Sequence, residues 1–125
     1  MIAQNKYMTW GGWFLSGLVV AALIFSASMK FMQPKEFVEG MGTMGWPVSL
    51  GVGLGITELV CTILYAIPQT SVLGAILLTG YLGGATATHL RIGDPYFAPI
   101  VVGVVVWLGL CLREGRLWSL IPLRK

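Results

Sequence analysis

The sequence predicts an all-α integral membrane protein: a four-helix up-down bundle with a short interfacial helix between helices 1 and 2. Three observations lead there. Of 125 residues, 56% are hydrophobic and only 10% charged, where a soluble domain averages roughly 25% charged. Mean hydropathy is accordingly high, at +0.81. Four apolar runs recur, each near the ~20 residues that cross a ~30 Å hydrocarbon layer at about 1.5 Å per residue. The joints between the later runs are short, which forces neighbouring helices antiparallel. The 8 basic and 5 acidic side chains are too few to give every element of a soluble fold a polar face. An ordinary soluble domain, a disordered chain and a nucleic-acid binder are therefore excluded. A single transmembrane domain over residues 1–125 uses the whole chain and leaves no room for a water-soluble catalytic domain. Any function then sits in the helices or the short loops.

The first span is expected over about residues 13–29, with Lys6 before it and Lys30 closing it. A basic start, an apolar stretch and Ser26-Ala27-Ser28 also resemble a cleavable signal peptide. The run is long for one and Lys30 follows the would-be cut directly, so a retained helix is expected. A polar interval from Gln33 to Pro47 comes next. Pro34 suits the first position of a short helix over about 34–44, and Glu36 and Glu39 favour its N-terminal half. Phe37, Met41 and Met44 share one face at i, i+4 and i+7. Gly40, Gly42 and Gly45 are expected to end this helix, and Trp46 to anchor at headgroup level.

The second span, about 48–67, carries Gly51-x-x-x-Gly55, a spacing that permits close helix packing. Pro68-Gln69-Thr70 is a tight turn. The third span, about 71–90, holds Gly80-x-x-x-Gly84 with Thr79, Gly83, Thr86 and Thr88. The loop Arg91-Ile92-Gly93-Asp94-Pro95 leads to the fourth span, about 96–112. Basic residues number five on the side of the termini (Lys6, Arg113, Arg116, Arg124, Lys125) and three on the other (Lys30, Lys35, Arg91). The positive-inside rule then places both termini in the cytoplasm. The basic tail reads as topology and lipid-headgroup contact.

Several chemistries are discounted. Cys61 and Cys111 form no C-x-x-C, which argues against a thiol–disulfide site. One histidine without ligand-spaced partners argues against a zinc or di-iron centre. Haem with two histidine ligands would need a second histidine, so only a dimer or a Met ligand would serve. Gly51-Val52-Gly53-Leu54-Gly55 lacks the third glycine of a dinucleotide fingerprint and opens a membrane span. The methionines and tryptophans read as lipid contacts and interface anchors, and Cys61 as a small buried hydrophobe.

Glu58 is the most informative residue. It lies near the middle of the second span, where an ionised carboxylate costs several kcal/mol unless paired or hydrated. It must face the bundle interior, either tied to a helix partner for packing or handling a proton or ligand. His89, the one histidine, falls near the outer end of the third span, and Lys30 at the outer end of the first. The antiparallel order allows the three to meet in one outward-opening polar pocket. Arg91 and Asp94 would rim it, and Thr57 and Ser26 would add hydroxyls. Glu58 and His89 make a workable acid–base pair. Lys30 would hold a carboxylate or a developing oxyanion. The alternatives are a Lys30 that snorkels to the headgroups and a His89 that caps the last carbonyls of its helix.

These residues also carry a resemblance. The chain resembles the DoxX-like family of small four-helix bacterial membrane proteins over about Trp13 to Leu120. The likeness rests on three pieces. One is Phe25-Ser26-Ala27-Ser28-Met29-Lys30-Phe31, an apolar helix closed by a lysine. Another is Met44-Gly45-Trp46-Pro47 followed by Gly55-Ile56-Thr57-Glu58-Leu59. The most specific is Thr86-Ala87-Thr88-His89-Leu90-Arg91-Ile92-Gly93-Asp94-Pro95. The family has glycine three residues before the lysine, where this chain has Ala27, which bears on how closely the helix packs there. The resemblance implies an inner-membrane partner in redox metabolism, linked to quinone-coupled sulfur oxidation or to complexes that handle oxidative stress.

The leading expectation is a pocket of Lys30, Glu58 and His89, with Arg91 and Asp94, that binds a small amphiphile such as a quinone beside an electron-carrying partner protein. One alternative is an enzyme using Glu58 and His89 as base and acid on a hydrophobic substrate, in an isomerisation, cyclisation or ring opening. The other is a non-catalytic anchor or assembly subunit docking through Gly80-x-x-x-Gly84. Four short helices enclose little space, so a homodimer is also considered.

Overall fold

The computed structural model describes residues 5–124, so Lys125 of the basic tail lies outside the described residues. Five α-helices follow in order: α1 (Lys6–Met32), α2 (Lys35–Met44), α3 (Gly51–Ala66), α4 (Ser71–Arg91) and α5 (Phe97–Arg113). Short 3₁₀ turns at Val48–Leu50 and Pro68–Thr70 lead into α3 and α4, and a third at Gly115–Ser119 follows α5. No strand occurs among the described residues. The fold is the all-α membrane bundle that the apolar runs predict. Lys6–Met32, Val48–Ala66 and Pro68–Arg91 are long and apolar enough to cross a membrane, and α5 is a shorter apolar helix of 17 residues.

Local signals set the helix ends. α1 begins ahead of the apolar run because Asn5 caps it, its side chain accepting from the Met8 N–H at 2.9 Å. It runs past Lys30 to Met32 and stops where Gln33 turns left-handed, at φ 53°. Lys30 therefore lies in the last turn, where unpaired carbonyls favour a cation. In α2, Pro34 is the capping residue rather than the first helical one. Gly40 and Gly42 do not end the helix, contrary to the sequence expectation. Each costs a helix only about 1 kcal/mol, and burying a Met side chain such as Met41, 2% exposed, returns about 1.5–3 kcal/mol. The stop comes at Gly45, whose φ of +79° is open to a residue without Cβ.

α1 packs on α5 and α3, and α4 packs on α3 and α5, closing a ring. The register alternates as an up-down bundle requires. The start of α1 meets the end of α5, where a Cβ on Gly12 would lie 2.6 Å from the Arg113 nitrogen. The end of α1 meets the first half of α3, where a Cβ on Gly55 would lie 3.1 Å from Lys30 Cβ. A Cβ on Gly74 of α4 would overlap the Tyr65 backbone of α3. A Cβ on Gly80, Gly83 or Gly84 would meet nothing within 4 Å among the described residues.

The core joins Val19, Leu23, Cys61, Leu78, Val106 and Leu110, among others. Phe14, Leu18, Phe25, Ile76 and Val104 point outward and are exposed. A surface this apolar is solvated by lipid rather than water. Exposed Tyr7, Trp10 and Trp13 gather near the start of α1, and Phe31, Trp46 and Phe97 near the opposite end, as interfacial aromatic belts do. The outer surface is thus apolar like the core, and Ser16, Glu58, Thr62 and Ser71 are buried within the bundle.

Candidate functional site

The most deeply buried carboxylate among the described residues is Glu58, on the inward face of α3 and 2% exposed. Its Oε1 lies 3.0 Å from Lys30 Nζ of α1. The same ammonium donates to Ser26 Oγ, one turn back on α1, at 2.9 Å. The Lys30 side chain is only 16% exposed. It reaches back into the bundle instead of snorkelling outward. Gly55 makes this reach short, because a Cβ there would press on the lysine stem, 3.1 Å from Lys30 Cβ. Thr62 donates to the Glu58 backbone carbonyl at 2.7 Å. Tyr81 of α4 brings its phenol close enough to the Glu58 carboxyl to interact with it.

Three helices thus converge on one carboxylate. Removing an ion from water costs several kcal/mol, and an opposite charge in good geometry offsets this only when the remaining donors and acceptors also find partners. Ser26 and Tyr81 fill that role. An ammonium has three N–H donors, and two are engaged, by Ser26 and Glu58.

The other site residues anticipated from the sequence lie elsewhere. His89 Nδ1 stands 3.4 Å from Asp94 Oδ2, and the Asp94 N–H bonds to the His89 carbonyl at 2.9 Å. That pair closes the turn after α4. Tyr81 and His89 are eight residues apart on one helix, which is about 12 Å of rise, and no bond joins His89 to Glu58 or Lys30. Arg91 donates to the Met44 carbonyl and ties the end of α4 to the end of α2. Thr57 is exposed and bonds back to Gly53 of its own helix at 2.9 Å, so its hydroxyl lies on the lipid-facing side.

Sequence reasoning missed a second polar centre at the other end of the bundle. Arg113 does not extend to the headgroups. Its guanidinium carbon lies 4.3 Å from the Trp13 ring centre and 4.7 Å from that of Tyr65. It donates to Ser71 Oγ at 3.0 Å and to the Tyr65 carbonyl at 2.9 Å. Tyr65, fully buried, donates its hydroxyl to the Val106 carbonyl at 2.6 Å and meets Ser16 Oγ at 3.1 Å. Helices α1, α3, α4 and α5 all meet in this network. Just beyond it, Glu114 receives Arg116 on both oxygens, at 2.8 and 3.0 Å. That guanidinium holds the Glu114 carboxyl below the usual carboxylate range. Tyr81 and Arg113 left only a faint signal in the sequence: a tyrosine inside an apolar run, and an arginine in the last turn of a span.

Recesses open on the surface of the described residues, and two have well-defined linings. A groove of about 610 Å³ lies between α4 and α5, lined by apolar residues with Thr79 and Thr86. Trp107 Nε1 donates across it to Thr79 Oγ1 at 2.7 Å. A smaller recess, about 150 Å³, lies beside Arg113. Glu58, Lys30 and His89 line neither one. No group of three or more His, Cys, Asp or Glu suited to a metal ion occurs among the described residues.

Fold and centre together define a small helical membrane protein built round a buried lysine–glutamate pair. Residues 14–111, which include both members of that pair, match the model of the DoxX-like family. The chain belongs to the DoxX-like family. No curated protein and no solved structure matches the chain.

Proposed function

We propose that the Lys30–Glu58 centre receives the polar head of a small membrane-dissolved amphiphile of quinone type. The observation that carries this reading is the buried ion pair itself. Intramembrane charges are costly and mark ligand or proton sites, and this pair keeps one ammonium N–H beyond those given to Ser26 and Glu58. That N–H is a donor suited to a carbonyl oxygen. A quinone would supply the electron chemistry when bound. The residues of this chain would bind and orient its head and exclude water from it. The chain has no redox motif of its own, so an electron-carrying partner completes the role. The proposed setting is a bacterial inner membrane, with both termini in the cytoplasm.

An acid–base enzyme would need Glu58 and His89 on one substrate, and His89 lies beside Asp94 and bonds to neither Glu58 nor Lys30, which favours the binding role instead. An assembly role has one supporting observation, the open face at Gly80, Gly83 and Gly84, on which a second copy or a partner helix would pack. Binding of a short-chain quinone to the protein in nanodiscs tests the main reading. Glu58→Gln and Lys30→Met should each abolish saturable binding while the protein stays inserted. Saturable binding of wild-type strength in both variants would refute it.

A further inference from the structure

The recess beside Arg113 is independent of the Glu58 centre. It is formed by the start of α4, the end of α5 and Trp13 of α1, and Gln69, Ser71, Arg113, Glu114 and Arg116 line it. Its volume of about 150 Å³ is below the roughly 300–1,000 Å³ of a pocket for a drug-sized molecule. A headgroup-sized ion suits it better.

The donors in it are held ready. Trp13 and Tyr65 lie against the Arg113 guanidinium and fix it in place. A guanidinium carries five N–H donors in a rigid fork. Ser71 Oγ and the Tyr65 carbonyl engage two of them, and the Nε–H is buried with no partner among the described residues. Arg116 brings a second guanidinium, 84% exposed. Glu114 is the one carboxylate in the lining and is clamped by Arg116, so it balances one of the two positive charges and leaves the recess cationic. Fixed arginine forks of this kind match tetrahedral oxyanions.

We infer that this recess binds a phosphate group, with Arg113 and Arg116 as its donors. The group is supplied by an anionic lipid headgroup or by a free phosphate anion. The purified full chain tests this by native mass spectrometry, after equilibration in detergent with equal phosphatidylglycerol and phosphatidylcholine. A parallel lipid-free sample receives inorganic phosphate alone. With the lipid as source, phosphatidylglycerol is retained in preference, and Arg116→Gln lowers that preference about fivefold, the weight of one basic side chain at an anionic surface. Arg113→Lys, which keeps the charge and loses the fork, lowers it as well, with helix content by circular dichroism unchanged. Phosphate adducts without lipid preference, lost in Arg116→Gln, would assign the site to the free anion. Equal retention of both lipids with no phosphate adduct would overturn the inference, as would a preference that both variants leave intact.

Discussion

Lys30 Nζ and Glu58 Oε1 stand 3.0 Å apart on two different helices, inside a protein whose outer surface is apolar. The last turn of α1 supplies the cation and the middle of α3 the anion. Gly55 lets the two helices come close enough for the side chains to meet. Breaking a buried pair leaves one charge without compensation, which typically costs about 3–5 kcal/mol. Lys30→Met should destabilise the protein by that order. A Lys30→Met, Glu58→Met double variant should recover much of the loss, because it removes both charges. Unfolding titrations of wild type, Lys30→Met, Glu58→Met and the double variant in detergent measure the coupling directly.

The glycines divide into two groups with opposite expected behaviour. Gly74→Ala puts a methyl group into the Tyr65 backbone, so α3 and α4 must separate and the folded yield should fall sharply. Gly80→Ala meets nothing and gains up to about 1 kcal/mol of helix propensity. Melting temperatures of the two variants against wild type are the check.

Tyr65→Phe removes the hydroxyl that reaches Val106 and Ser16 while keeping the ring against Arg113. Side-chain hydrogen bonds between membrane helices average about 0.6 kcal/mol and reach about 1.7. A loss near the upper end is expected, because two bonds go together and Ser16 is left buried, 2% exposed. Tyr65→Ala should cost several-fold more, since it also removes one face of the Arg113 cage. Equilibrium unfolding of the two variants separates the hydroxyl from the ring.

The turn after α5 should loosen in acid. Glu114 titrates below the usual carboxylate range because Arg116 bonds to its carboxylate. Its contribution is therefore complete above the unfolded carboxylate value and is lost as pH falls through the lowered folded value. The Trp118 indole N–H, which donates to the Cys111 carbonyl at 3.0 Å, reports the turn by NMR. Its resonance should shift in that acidic window in wild type and be insensitive there in Glu114→Gln.

Much of the fold was legible because solvation by lipid leaves a coarse mark. Long apolar runs, short joints and one carboxylate at bilayer depth name a helical bundle with a polar interior. Glu58 stood out by depth alone, and Lys30 by closing its run. The rotation of each helix was not legible. It decided that Thr57 faces outward, that Tyr81 faces Glu58, and that His89 joins Asp94 a few residues away. The Arg113 centre was hidden for a related reason. Its partners Trp13, Tyr65 and Ser71 come from three other helices, and no local pattern records a contact between distant segments. The packing of α2 was legible in its i, i+4, i+7 face, but its end was not. Three glycines compete for that end, and only Gly45 adopts the left-handed geometry.

Photolabelling tests the central claim most directly. The protein in nanodiscs is irradiated with an azido-quinone and the labelled residues are located by mass spectrometry. The proposed binding centre predicts label beside Lys30 and Tyr81, displaced by unlabelled quinone and lost in Glu58→Gln. Label confined to the α4–α5 groove, around Trp107 and Thr79, or unaffected by Glu58→Gln would contradict it.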